Sequence, residues 1–176
     1  MSEGLVIRAA AAADGGTIDA LHRAAFATTE LGHQGEADLV RALDADGDTL
    51  VSLVAEQGGS VAGHAMFSRM AVEADGQTLS AAGLAPVAVT PALHGYGIGY
   101  ALICAGLAAL REQGCAMSFV LGHENYYPRF GYSPELAARF TSPFADPHFM
   151  AMMLDSNAAW PLGGRADYAP AFGRMG

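Results

Sequence analysis

Leu84-Ala85-Pro86-Val87-Ala88-Val89 leads, after Thr90-Pro91-Ala92, into Leu93-His94-Gly95-Tyr96-Gly97-Ile98-Gly99. The first string is a β-prone run broken by a proline. Proline has no backbone N–H, so Pro86 leaves a gap in a strand ladder and belongs at an edge or a bulge. A strand disturbed there can splay from its neighbour, leaving peptide groups that pair with an amide-containing ligand. An ordinary bulge is the alternative. In the second string, three glycines at alternate positions let backbone amides approach a ligand closely. A helix opening there adds unpaired N–H groups and the positive end of its dipole. No Asp or Glu follows in its first turns, which leaves room for an anion such as a pyrophosphate. A glycine-rich tight turn without a ligand is the alternative. A dinucleotide-binding βαβ site is disfavoured, because the glycine spacing differs and the loop follows a late strand.

Downstream, Ile98, Leu102, Ala105 and Ala109 recur at helical spacing, so a helix is predicted over about 97–113, stopped by Gly114. Ala116 to Leu121 reads as a strand, and strand–helix–strand implies a parallel crossover. Gly122-His123-Glu124-Asn125-Tyr126-Tyr127-Pro128-Arg129-Phe130-Gly131-Tyr132 follows, with a short helix or turn at 125–130. Paired tyrosines just past a parallel strand lie at the carboxyl edge where such sheets bind ligands. A tyrosine there can protonate a departing thiolate, or both rings can simply pack with their hydroxyls on backbone carbonyls.

Upstream, Leu5 to Arg8 is a strand candidate. Ile18, Leu21, His22 and Ala25 mark a first helix, Glu30 to Gly35 a loop, and Leu39, Val40 and Leu43 a second helix from Glu36. The runs 50–55, 61–68 and 79–89, divided by Gln57-Gly58-Gly59 and Asp75-Gly76, suggest an antiparallel meander. Weaker strands are predicted at 136–140 and 149–154, and an irregular tail from Gly163 docks through Tyr168 and Phe172. The fold class is therefore α/β, with a mixed, mostly antiparallel central sheet, one parallel strand–helix–strand crossover and flanking helices.

The bulk numbers fit one domain spanning 1–176, with 52% apolar and 15% charged residues over 176 positions. The formal charge of -9 disfavours nucleic acid and anionic lipid as partners. No run approaches the roughly 18 apolar residues of a bilayer span, so a cytoplasmic protein is expected. Cys104 and Cys115 have no CxxC or Cys/His spacing, and no metal site is expected.

Taken together these segments resemble the GNAT (Gcn5-related N-acetyltransferase) superfamily, and in detail its YhbS-like branch. The resemblance rests on Leu84 to Val89, Gly95 to Gly99, Val120-Leu121-Gly122, Tyr126 to Tyr132 and Tyr168-Ala169-Pro170-Ala171-Phe172, with Gly63-His64 and Phe67-Ser68 in the preceding hairpin. It implies an acetyl-CoA-dependent acyltransferase that moves an acetyl group to an amine acceptor by direct attack in a ternary complex. The acceptor would be a small-molecule amine or a protein N-terminus, and a homodimer is a common assembly of this fold. The alternative is a coenzyme A or acyl-CoA-binding module without turnover.

By the same resemblance, the backbone of Val87, Ala88 and Val89 pairs with the pantetheine arm. His94, Gly95, Tyr96, Gly97, Ile98 and Gly99, with Tyr100 close by, cradle the pyrophosphate. Tyr127 is the acid for the coenzyme thiolate, and Tyr126 takes the neighbouring cofactor-binding position. His94 and Tyr96 stand where the family usually has a Gln or Arg and a basic residue, so phosphate binding rests more on backbone donors. If His94 is a charged contact, coenzyme affinity weakens as pH rises. No carboxylate lies in 79–89, which leaves Glu36, Glu30, His64 and His123 as candidates for a base, with Glu36 as the catalytic choice.

Overall fold

The computed structural model describes residues 4–26 and 35–174. β1 (Leu5–Ala9) precedes α1 (Gly15–Phe26) and α2 (Gly35–Asp46). Then come β2 (Thr49–Gln57), β3 (Ser60–Ala74) and β4 (Gln77–Val89), followed by α3 (Ile98–Glu112) and β5 (Met117–Leu121). After a 3₁₀ turn at Tyr127–Phe130 come α4 (Pro134–Ala137), β6 (Phe140–Thr141), β7 (Phe149–Met153), β8 (Gly164–Asp167) and α5 (Pro170–Gly173).

The sheet order is β1-β2-β3-β4-β5-β7, and only the β4–β5 pair in that path is parallel. Two tight turns set the register. Gln57 pairs with Ser60 across Gly58 and Gly59, and Ala74 with Gln77 across Asp75 and Gly76. All four turn residues have positive φ, the geometry that two-residue hairpin loops require and glycine supplies cheaply. β3 outruns β2. Beyond Ser68 its edge passes to β8, which pairs Ala71–Ala74 with Gly164–Asp167.

α3 covers one face of the sheet and α1 with α2 the other. α3 buries Ile98, Leu102, Ile103, Gly106, Leu107 and Leu110, a stripe recurring every three to four residues. A Cβ on Gly106 would stand 2.1 Å from the ring of Phe67 in β3, so glycine lets the helix sit directly on that ring. The helix ends in a left-handed Gly114, with Cys115 N–H on Leu110 O at 3.0 Å and Gly114 N–H on Arg111 O at 3.0 Å. On the opposite face Ile18, Leu39, Val40 and Leu43 pack with Val54 and Met66.

Two sequence expectations are corrected. The stretch 136–140 is not a strand. Ser133 Oγ caps a turn of helix by accepting from Leu136 N–H at 3.3 Å, Pro134 occupies the first helical position, and strand pairing starts only at Phe140. The tail is not irregular, because β8 completes the β3 edge and α5 follows. Asp75 Oδ1 holds it by accepting from Leu162 N–H at 3.0 Å and Gly163 N–H at 3.1 Å. Tyr168 and Phe172 do dock, with ring centroids 4.8 Å apart. Among the described residues no helix is long and apolar enough to cross a membrane, and no group of three or more His, Cys, Asp or Glu is placed to hold a metal ion.

Candidate active site

The break at Pro86 parts two strands. Between the pairs Ala65–Val87 and Phe67–Leu84, β3 advances two residues while β4 advances three, so Ala85 and Pro86 bulge opposite Met66. The Ala85–Pro86 peptide is cis. Pairing of β4 with β5 stops at Leu84–Val120, just before the bulge. From there β4 continues beside β3 alone.

Which peptide groups face the opened side follows from the ladder. Thr90 N–H donates to Ala62 O at 2.8 Å, so Thr90 and Ala88, two residues back, turn their backbone groups toward β3. Val87 and Val89 turn theirs the other way, into the gap left by β5. Ala88, with its backbone in the β3 ladder opposite His64, does not face it. The Val89 carbonyl is already engaged, accepting from His94 Nε2–H at 2.8 Å. This bond folds the glycine loop back onto the strand end.

The loop opens α3 without a side-chain cap. Gly95 and Gly97 have φ of 86° and 81°, and Gly97 is the N-cap residue. The first intrahelical bond runs from Ala101 N–H to Gly97 O at 3.0 Å, so the N–H groups of Ile98, Gly99 and Tyr100 have no intrahelical acceptor. The first turn carries no acid. A cavity of about 370 Å³ lies against this helix start, with Gly97, Gly99, Tyr100, Tyr126 and Arg129 among its walls. Val89, His94, Gly95 and Ile98 also border it, whereas Tyr96, 67% exposed, points elsewhere.

Arg129 is the residue that sequence reading missed. Its guanidinium lies 4.4 Å from the centre of the Tyr126 ring, and its Nε–H donates to Tyr126 O at 2.8 Å. Among the described residues it is the one arginine lining the cavity, brought there by the 3₁₀ turn that carries the tyrosines. The signal was present in Tyr126-Tyr127-Pro128-Arg129, because a basic residue three positions after a ligand-facing aromatic folds back over it in one helical turn.

Tyr127 sits beyond the end of β5, its ring flat against Gly122, where a Cβ would come within 2.2 Å of it. It meets Tyr126 edge-on at 5.1 Å and Tyr132 at 5.9 Å. Burial pushes its phenol up to about 12. Burial raises Tyr126 as well, opposed by Arg129.

A second, larger cavity of about 800 Å³ opens past the same strand end, between Leu121 and Gly122 on one side and Glu36 and Leu39 of α2 on the other. Glu36 Oε2 is buried there and accepts no hydrogen bond from the described residues. His123 lies on the rim, exposed. The other base candidates fare differently. Glu30 lies outside the described residues. His64 is fully buried on the α1 side of the sheet, its Nδ1 2.8 Å from His22 Nε2 and its Nε2 2.9 Å from Ser52 Oγ. Desolvation pushes it down to about 3, so it is a neutral structural group.

Comparison with known proteins agrees with this geometry. The family model for the acetyltransferase (GNAT) domain matches residues 6–134. An uncharacterized N-acetyltransferase of Escherichia coli K12, YhbS, is 34% identical over 176 residues, covering 97% of this chain and 100% of its own length. A second from that strain, YjhQ, is 36% identical over 140 residues, 77% of each chain. A GNAT family acetyltransferase from Brucella melitensis, solved with acetyl-CoA, superimposes with a TM-score of 0.80 at 34% identity, covering 96% of this chain and 97% of its own. The E. coli YhbS structure with CoA gives 0.83 at 31% identity, covering 98% and 94%. A strand parted at a proline bulge, a glycine loop at an uncapped helix start and a sequence match over most of the chain have one common source: this protein belongs to the GNAT acetyltransferase family.

Proposed function

We propose that this chain transfers an acetyl group from acetyl-CoA to an amine by direct attack in a ternary complex. The observation that carries the reading is the departure of β4 from β5 at Leu84–Val120, beside a helix start free of acids. The residues fit the coenzyme. Val87 and the Val89 N–H present peptide groups for the amides of the pantetheine arm. The N–H groups of Ile98, Gly99 and Tyr100 face a cavity for the diphosphate, with Arg129 supplying charge. Ala88 serves the sheet instead. Tyr96 contributes only its backbone to the loop.

Acetyl-CoA supplies an activated thioester carbon, and the protein supplies alignment and proton management. A backbone N–H of Val87 or Val89 polarises the carbonyl oxygen. Glu36 takes one proton from the incoming ammonium. As the C–N bond forms, the C–S bond breaks and its electron pair goes to sulfur. Tyr127 gives its proton to the sulfur, and its oxygen recovers one from the acylated nitrogen. One proton, the one held by Glu36, leaves to solvent.

The tuning of Tyr127 supports a shuttle role. A phenol near 12 and a thiol near ~8.5 differ by roughly 5 kcal/mol in proton affinity. A standing phenolate is therefore too costly, and Tyr127 acts as a shuttle that is reprotonated as it gives its proton away. The experiment is steady-state thiol release with acetyl-CoA and a panel of amines. Turnover with at least one amine is expected. Saturable coenzyme binding with no release across the panel would mean a binding module instead.

A further inference from the structure

We infer that the cavity past the end of β5 is the acceptor site and that it takes a primary amine carried on an aromatic or similarly bulky apolar body, an aralkylamine. The inference rests on the acetyltransfer reading above and adds the substrate class.

Position comes first. Gly122 lines the cavity on one side and meets the Tyr127 ring on the other, so the cavity adjoins the gap where the thioester would lie. Leu39, Leu121, Phe144 and Phe172 supply its apolar walls, interrupted by His123 and His148. Leu121 is 38% exposed, a large apolar side chain left partly open to the cavity. About 800 Å³ is far more than a methylamine fills and lies within the ordinary range for a ring-bearing ligand.

Charge comes next. Among the described residues Glu36 Oε2 is buried at this wall without a hydrogen-bond partner, a costly state for a carboxylate oxygen. Asp146 adds a second carboxylate, although its Oδ1 accepts from His148 N–H at 2.6 Å. The chain has no lysine, and its nine Lys-or-Arg positions are all arginines. His123 and His148 lie on the same cavity wall, and neither bonds Glu36 Oε2. Each arginine is engaged elsewhere. Arg8, Arg23, Arg41, Arg69, Arg165 and Arg174 pair with other carboxylates. Arg111 and Arg139 donate to the carbonyls of Leu154 and Pro161, and Arg129 lies on Tyr126. A ligand ammonium would satisfy Glu36 Oε2, and the apolar part of the wall favours an apolar body for the rest of the ligand.

The test uses the full chain and separates binding from turnover. Calorimetry with CoA establishes the coenzyme site. Phenethylamine is then titrated into CoA-saturated protein, alongside butylamine, spermidine, a Gly-initiated tripeptide and the neutral isostere 2-phenylethanol. Phenethylamine should bind at least about tenfold tighter than butylamine, the worth of burying a ring, and at least tenfold tighter than 2-phenylethanol. Glu36→Gln should weaken phenethylamine about tenfold and leave 2-phenylethanol and CoA unchanged. Leu121→Arg, at an exposed position, should weaken the amine similarly by placing a cation on the wall, and it serves if the Gln variant does not fold. Preference for spermidine or the tripeptide, no measurable aralkylamine binding, or an amine affinity indifferent to both substitutions overturns the inference. Failure of CoA to bind sinks the acetyltransfer reading itself.

Discussion

Tyr127 and Arg129 share one short turn, and in the proposed reaction they act at opposite ends of the coenzyme. There the hydroxyl of Tyr127 is the group proposed to move a proton. Tyr127→Phe keeps the ring against Gly122 and removes only the O–H, so turnover should fall about 10²-fold or more while acetyl-CoA affinity stays unchanged, as rapid-quench rates and calorimetry would show. An unaltered rate removes Tyr127 from the chemistry. Arg129 should behave in the reverse sense. Arg129→Met keeps a long side chain near Tyr126 and deletes the charge beside the cavity proposed for the diphosphate. Coenzyme affinity should weaken about tenfold, the scale of one charge-assisted contact, with turnover at saturating coenzyme preserved. Its dependence on salt should flatten in the same titrations.

At the level of elements, the contact between α3 and β3 holds the loop in place. Gly106 and Phe67 meet where a Cβ would lie 2.1 Å from the ring, and both are enclosed. Gly106→Ala should therefore destabilise the protein by ~1–3 kcal/mol through overpacking, read as a lower urea midpoint. Adding Phe67→Leu should recover part of that loss if the clash is its source. The helices and hairpins that carry this contact were legible because each has a local cause: a stripe in α3, Gly114 at its end, Gly58-Gly59 and Asp75-Gly76 at the turns. The stretch 136–140 misled because its apolar residues fit a strand as well as one helical turn. Ser133 and Pro134, just upstream, tip it to helix. β8 escaped reading because four residues with one apolar side chain buried carry no period, and the strand exists only by virtue of the edge that β3 offers it.

Across the whole molecule, the buried pair His22 and His64 ties α1 to the sheet. Desolvation pushes them down to about 4 and about 3 from an ordinary 6.5. Both are neutral in the folded state and would bind protons first on unfolding. Their contribution is present in full above pH ~6.5 and is lost as pH falls toward those lowered values. Asp14, held well below the usual carboxylate range by Arg8, acts in the same direction but at more acidic pH. The thermal midpoint should thus decline already between pH 6.5 and 5, where carboxylates scarcely titrate. His64→Gln should flatten that slope. A midpoint constant over this interval would contradict the neutral, buried reading of the pair.

The sequence by itself determined the mixed sheet with its crossover, the broken strand, the glycine loop and the tyrosine turn, because proline, glycine and apolar period act through near neighbours along the chain. Only the tertiary structure decided that Val87 and Val89 face the gap while Ala88 faces β3, that Tyr96 points away, that Arg129 reaches the cavity at the start of α3 and that Glu36 stands opposite Leu121 across a second hollow. These depend on strand register and on residues far apart in the chain meeting in space. That no arginine meets Glu36 becomes visible only when every arginine has been placed.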